Sequence, residues 1–105
     1  MTAENTINGL VQERNLVTAI PGPKSVELQK RRTSAVSAGV GFTIPIFIEK
    51  AGGGVVQDVD GNTLIDMGSG IAVTTIGNAA EEVAKAVADQ VEKFTHTCFM
   101  VTQYD

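Results

Sequence analysis

Apolar and polar positions follow a strand-like pattern in the middle of the chain and a helical one toward its end. Val55, Val56 and Val59 precede Asp60-Gly61, and Thr63, Leu64 and Ile65 follow it. Runs of this kind around Asp-Gly predict a hairpin, because that dipeptide readily takes the positive φ angles of a two-residue type I′ turn. Pairing outward sets Asp58 opposite Thr63, Gln57 opposite Leu64 and Val56 opposite Ile65. The last pair shares a face and would seat the hairpin on a core. From Asn78 to Phe94, Ala80, Val83, Ala84, Val87, Val91 and Phe94 recur at helical spacing. Asn78 is a good N-cap residue, and Glu81 three positions on completes a start like a capping box. Glu81 with Lys85, and Asp89 with Lys93, stand four apart in the favourable direction, which marks the other face as solvated. Such a helix is about 25 Å long. Its apolar stripe needs a partner surface larger than one hairpin.

Upstream, Ser25 followed by Glu27 and then Lys30-Arg31-Arg32 predicts a short helix to about Ser34, with Ser25 as N-cap and charges that suit the helix dipole. The cationic run reads as a solvated helix end. Phe42 to Lys50 favours a strand, with Pro45 confining it to a strand start or a sheet edge. Gly52-Gly53-Gly54 then makes a turn. Residues 1 to about 23 lack periodicity and close on Ile20-Pro21-Gly22-Pro23, so they are expected as an extended, partly mobile arm. The fold class is therefore an α+β segment: an arm over 1–24, a short helix, a small antiparallel sheet and one long helix. Thr95 to Asp105 stops in mid-pattern without a cap or charged tail, which is the expectation for a truncated chain.

A chain of 105 residues holds one domain at most. Its apolar residues lean on Ala and Val, aromatics are 5% and Trp is absent, so large core anchors are scarce and dependence on other protein is expected. With net charge −4 and no basic stripe, neither nucleic acid nor an anionic membrane is an expected partner. A single cysteine, Cys98, cannot form an intramolecular disulfide, and no signal peptide or long apolar run is present, so a cytoplasmic setting is expected.

Candidate chemistry within the chain is thin. The glycine triple lacks the Lys-Ser/Thr and the helix that a phosphate loop needs. In Gly68-Ser69-Gly70 the third glycine of a dinucleotide fingerprint would fall on Val73. His96 and Cys98 share a face in an extended segment, as a thiolate and its imidazole would, but lack a third orienting group and are too few for a closed zinc site. Asp58, Asp60 and Asp66 read as structural rather than as an acid and base pair, since Asp60 has a turn to make and the others lie on different faces. The five lysines, Lys24, Lys30, Lys50, Lys85 and Lys93, stand in polar contexts that do not lower an amine pKa for imine chemistry.

The string VVQDVDGNTLIDMGSGIAVTTIGN, the helix after it and KFTHTCFMVTQYD closely resemble the N-terminal part of the class III, pyridoxal-phosphate-dependent aminotransferases. The likeness runs from about Leu28 (LQKRRTSAVSAGVG) through PIFIEKAGG to Asp105. The spacing D-x-D/E-G-x-x-x-x-D-x-x-x-G-I-A-V is specific for the class, and THTCF after the helix narrows it to the 4-aminobutyrate branch. Asn78-Ala79-Ala80 departs from the Gly-His and Pro-containing turn of many relatives. The resemblance implies that residues 25–105 are the N-terminal part of the small domain of a fold type I transferase, with its strands and the helix leading to the large domain. It implies pyridoxal 5′-phosphate as cofactor, 4-aminobutyrate and 2-oxoglutarate as substrates, succinate semialdehyde and glutamate as products, and a homodimer or higher homo-oligomer when complete. The cofactor lysine, the Asp paired with the pyridine nitrogen, the phosphate loop and the main substrate arginine would lie beyond Asp105. No catalytic, cofactor-binding or metal-binding residue is then expected in this segment, which alone would be inactive.

By the same resemblance, Ile71 lines the substrate side of the cofactor, Gly70 permits close backbone approach, and Met100 lies near the pocket and the subunit boundary. An apolar wall at Ile71 would exclude water and select a slim ω-amino acid, whereas an aromatic hydroxyl there would suit ornithine, the alternative within the class. Outside the class, the competing reading is a non-catalytic interaction module.

Overall fold

A computed structural model of the chain describes residues 5–105. Its two most buried large side chains are polar: Asn62 and Asp58 are fully enclosed, whereas Leu10 and Val55 are the only buried apolar residues among those described. Strands β1 (Thr6–Ile7) and β2 (Leu10–Val11) pair as a small hairpin. Helix α1 (Pro23–Ala35) follows, then an antiparallel sheet of β3 (Ile48–Gly52), β4 (Val55–Asp58) and β5 (Thr63–Ile65) in that order. A short turn α2 (Ser69–Ala72) and helix α3 (Glu81–Val91) complete the described elements. The chain is thus a small α+β arrangement with two antiparallel sheets.

The β4–β5 hairpin forms where expected, but its register differs by one residue. Val55 pairs with Ile65, Val56 with Leu64 and Gln57 with Thr63, leaving residues 59–62 as the connection. The cause is the Asp58 side chain. Its Oδ1 accepts the N–H of Asp60 and of Asn62, each at 2.9 Å, and its Oδ2 accepts from Asn62 Nδ2 at 2.9 Å. An Asx-type loop around a buried carboxylate replaces the tight two-residue turn. Ile65 consequently sits opposite Val55 and is exposed rather than sharing a core face with Val56.

Asn62 extends the network to the N-terminal segment. Its Oδ1 accepts from Val17 N at 2.8 Å and Thr18 N at 2.9 Å, and its Nδ2 also donates to Thr18 Oγ1 at 2.8 Å. Asn15 and Thr63 exchange backbone bonds of 2.9 and 2.7 Å, and the Gln12 amide bonds Gly52 O and Gly54 N. The expected extended, partly mobile arm is thus tied along the sheet by polar bonds between Asn8 and Thr18; residues 1–4 of it lie outside the described residues. The approach is close enough that a Cβ on Gly52 would collide with the Ile7 carbonyl oxygen. This explains Gly52 as a strand residue, with the turn confined to Gly53-Gly54.

Helix α1 begins earlier than expected. Gly22 is its N-cap and Pro23 opens it, a position where the missing N–H costs nothing. The cap side chain comes from the hairpin: Asp60 accepts from Lys24 N at 2.7 Å and Ser25 N at 2.9 Å. A side chain on Gly22 would overlap that carboxylate. Desolvation pushes the Asp60 pKa up, but the N–H groups of Ser25 and Lys24, the Ser25 hydroxyl and the Lys24 charge outweigh it and the net shift is downward. Ser25, expected as the cap, is instead fully buried, and its hydroxyl lies 3.4 Å from Phe47 N. The strand expected over 42–50 is Ile48–Gly52, because Pro45 lacks a donor and Phe42 turns back beneath Arg32, whose guanidinium lies 4.6 Å from the ring centre.

Helix α3 is shorter than the stripe suggested. Its N-cap is Ala80, without a side-chain cap bond, because Asn78 is spent elsewhere: its N–H and C=O pair with Gly53 at 2.8 and 2.9 Å. Glu81 therefore completes no capping box. At 1.5 Å per residue its length is roughly 16 Å rather than 25 Å. Lys85 pairs with Asp89 at 2.5 Å, in place of the expected Glu81–Lys85 and Asp89–Lys93 pairs. All residues of α3 are exposed, including Val83, Val87 and Val91, so no described element covers its stripe.

The polar hub yields a direct test. Asn62→Ala removes the acceptor for two amides and should lower the hydrogen-exchange protection of Val17 and Thr18 by about tenfold or more, since a net hydrogen bond is worth about 0.5–1.5 kcal/mol and an orphaned partner costs more. Unchanged protection at both amides would show that the segment is held by something else.

Candidate functional site

Beyond β5 the chain leaves the sheet at Asp66 and returns at Asn78, enclosing a loop whose ends meet. Asp66 Oδ1 accepts from Gly68 N at 3.1 Å and Ser69 N at 2.7 Å, and Asp66 Oδ2 accepts from Asn78 Nδ2 at 3.1 Å. Asn78 Nδ2 also lies 3.3 Å from Gly53 O. One carboxylate thus orders the first turn of the loop and, through Asn78, closes its neck. The Asn78 amide is the largest influence on the Asp66 carboxyl; with the Ser69 and Gly68 N–H groups it overrides desolvation and holds the pKa below the usual aspartate value.

Within the loop, Ser69, Gly70, Ile71 and Ala72 all have positive φ, at 52, 62, 61 and 61°. A left-handed turn costs an L-residue roughly 1–2 kcal/mol, and a β-branched residue such as Ile71 adopts it least readily. Hydrogen bonds offset that cost. Ile71 N donates to Gly68 O at 2.8 Å and Val73 N to Ser69 O at 2.7 Å, while the hydroxyls of Ser69 and Thr74 meet at 2.7 Å.

The geometry presents Ile71 outward: it is 94% exposed, and Met67, Val73 and Ile76 on the same loop are exposed as well. Gly70 lies beside it on the exposed turn. Met100, also 94% exposed, sits on a separate turn in which the Cys98 carbonyl accepts from Val101 and Thr102. That segment is not uniformly extended, since Cys98 has φ 57°. Tyr104 there packs edge-on against Phe94 and Phe99, with ring centres 5.1 and 5.4 Å apart. An open groove of about 520 Å³ runs along Val83, Val87, Val91 and Phe94. Contiguous apolar surface of this kind marks a face built to be covered or to meet a ligand.

The three acidic residues weighed as a catalytic pair are each engaged with backbone N–H groups. Asp66 takes the N–H groups of Gly68 and Ser69, so those two donors are not free for a phosphate. The glycine triple is likewise filled by Ile7 and Gln12. Among the described residues no group of three or more His, Cys, Asp or Glu is placed to hold a metal, and no helix is long and apolar enough to cross a membrane.

The profile of the family described as Aminotransferase class-III matches residues 36–105. The chain belongs to the class III aminotransferases. It is 65% identical over 96 residues to a 4-aminobutyrate aminotransferase of Mycobacterium tuberculosis, covering 91% of this chain and 21% of that relative. It is 45% identical over 78 residues to the 5-aminovalerate aminotransferase DavT of Pseudomonas putida, covering 74% of this chain and 18% of the relative. With the 4-aminobutyrate aminotransferase GabT of Escherichia coli the figures are 42% over 79 residues, 75% and 18%. The chain spans about a fifth of the length of these curated relatives. Within the matched region, Asp58, Asp60 and Asp66 build the loop, the cap and the neck that carry Gly70 and Ile71.

Asn78 and Ser69 escaped the sequence reading as site residues. The local signal was Asp66-x-Gly68-Ser69, an acceptor followed by donors two and three residues on. The lowered Asp66 pKa fixes a pH dependence. The bonds to the charged carboxylate are complete above the ordinary value of about 3.9 and are lost as pH falls through the lower folded value. In an NMR titration the Gly68 and Ser69 amides should report a midpoint below 3.9, absent in Asp66→Asn; a midpoint at or above it would contradict the clasp.

Proposed function

We propose that this chain is the N-terminal part of a 4-aminobutyrate:2-oxoglutarate aminotransferase, which converts 4-aminobutyrate to succinate semialdehyde and forms glutamate. The observation that carries the reading is the 65% identity, over nine-tenths of this chain, to a 4-aminobutyrate aminotransferase. Pyridoxal 5′-phosphate, held by residues outside this chain, supplies the electron sink and carries the amino group between the two substrates. In the proposal these residues belong to the small domain of a fold type I enzyme, a cytoplasmic homodimer or higher homo-oligomer.

The part given to this chain is the substrate-side wall. Ile71 offers an apolar surface beside the reacting amine, Gly70 leaves room for close approach, and Met100 lies near the pocket and subunit boundary. A branched aliphatic wall excludes water and penalises a branched donor by steric conflict, with one methylene or methyl worth about 1–3 kcal/mol of discrimination. The outward presentation of Ile71 on a braced loop supports this role. A second reading, a 5-aminovalerate donor, is favoured by the 45% identity to an enzyme so named. Both donors are slim ω-amino acids, and the wall suits either.

In the complete enzyme, Ile71→Tyr should lower kcat/KM for 4-aminobutyrate relative to ornithine by about tenfold or more. An unchanged ratio would remove Ile71 from donor selection. Incubating the complete enzyme with 4-aminobutyrate and 2-oxoglutarate should yield succinate semialdehyde and glutamate in equal amounts, and the 105-residue chain alone should yield neither. Faster turnover of 5-aminovalerate would decide for the second reading.

A further inference from the structure

We infer that Asp66 and Asn78 form a positioning clamp that sets donor selectivity by holding Ile71 in its left-handed conformation. The inference rests on the proposed placement of Ile71 beside the amino donor. Two observations carry it: the strain and the bonds that oppose it.

Ser69, Ile71 and Ala72 occupy a backbone region that disfavours L-residues, so the turn persists only where its surroundings over-determine it. Asp66 holds its first N–H groups, and the Ser69 hydroxyl meets Thr74 across it. Asn78 joins the far end of the loop to both Asp66 and Gly53. The bonds to the Asp66 carboxylate are charge-assisted, the stronger kind of hydrogen bond, and with the Ser69–Thr74 and Asn78–Gly53 bonds they oppose the strain of the left-handed residues.

Neither clamp residue needs to touch substrate. Asp66 is directed to its own loop's amides and to Asn78, and Asn78 lies at the sheet end of the neck. Release of Asn78 frees one end of a turn that is strained at Ile71, and the wall relaxes toward ordinary φ angles. A wall out of place discriminates less between a straight donor and one with a methyl branch beside the amine. This differs from loss of folding, because the polar hub at Asp58 and Asn62 lies on the other side of β5 in sequence and shares no partner with the clamp.

The test uses the complete enzyme and its Asn78→Ala variant. The expected result is a fall of about tenfold in kcat/KM selectivity for 4-aminobutyrate over 4-aminopentanoate, with the loss expressed mainly in KM for 4-aminobutyrate and KM for 2-oxoglutarate less affected. Hydrogen exchange at Ile71, Val73 and Thr74 should rise by about tenfold, with the amides of Val17 and Thr18 unchanged. Unaltered selectivity despite faster loop exchange would reduce the clamp to a purely structural part and overturn the inference; unaltered loop exchange would overturn it as well. Absence of 4-aminobutyrate turnover in the unmodified enzyme would instead refute the functional reading, and is distinguished by assaying that enzyme first.

Discussion

A buried carboxylate with three N–H partners and, among the described residues, no cation beside it is the constraint on which the rest of this structure depends. Asp58 is enclosed completely, and a charge in that position is tolerable only because Asp60 N, Asn62 N and Asn62 Nδ2 all donate to it. Those three bonds determine the length of the β4–β5 connection. The connection in turn aims Asn62 at residues 17 and 18 and Asp60 at the start of α1. A chain with few large apolar side chains thus secures its N-terminal segment, helix and sheet through polar groups whose partners are complete.

The same device recurs one strand later, with a different result. Asp58 and Asn62 face inward and are buried, whereas Asp66 and Asn78 close a loop whose apolar residues remain exposed. The first pair makes a rigid base, and the second presents Ile71 above it. Because Asn78 also pairs with Gly53, the loop neck is fastened to the β3–β4 turn. Glycine at Gly52, against which the N-terminal segment lies, belongs to that same junction. A path therefore runs from core to loop: Asp58 and Asp60 for the scaffold, Asp66 for the neck, Gly70 and Ile71 for the exposed turn.

Much of the fold was legible, and the misreadings share one physical cause. The hairpin, α1 and α3 follow from local pattern, since strand alternation and helical spacing are properties of neighbouring residues. The register slipped because Asp60-Gly61 carries a two-residue turn signal that the Asp58 side chain overrides. Ser25 and Asn78 each looked like an N-cap, but one is buried under Phe47 and the other is committed to Gly53, while the cap on α1 comes from Asp60 far along the chain. The N-terminal segment lacked an apolar periodicity because its attachments are polar, the side chains of Asn8 and Gln12 and the backbone of Asn15. Long-range side-chain bonds are invisible to pattern reading. Within the candidate site, Gly70, Ile71 and Met100 are proposed only through family resemblance; the bonds of Asn78 became apparent only with the loop closed in space.

On the proposed function, this chain contains its own scaffold and presents a surface that the rest of the enzyme completes. Amide hydrogen exchange in the 105-residue chain and in the complete enzyme compares the two most directly. Similar protection is expected at Val17, Thr18, Lys24 and Ser25 in both, with protection over residues 67–77 and 83–94 higher in the complete enzyme. Equal protection of those two stretches in both, or loss of the Val17 and Thr18 amides in the short chain, would contradict it.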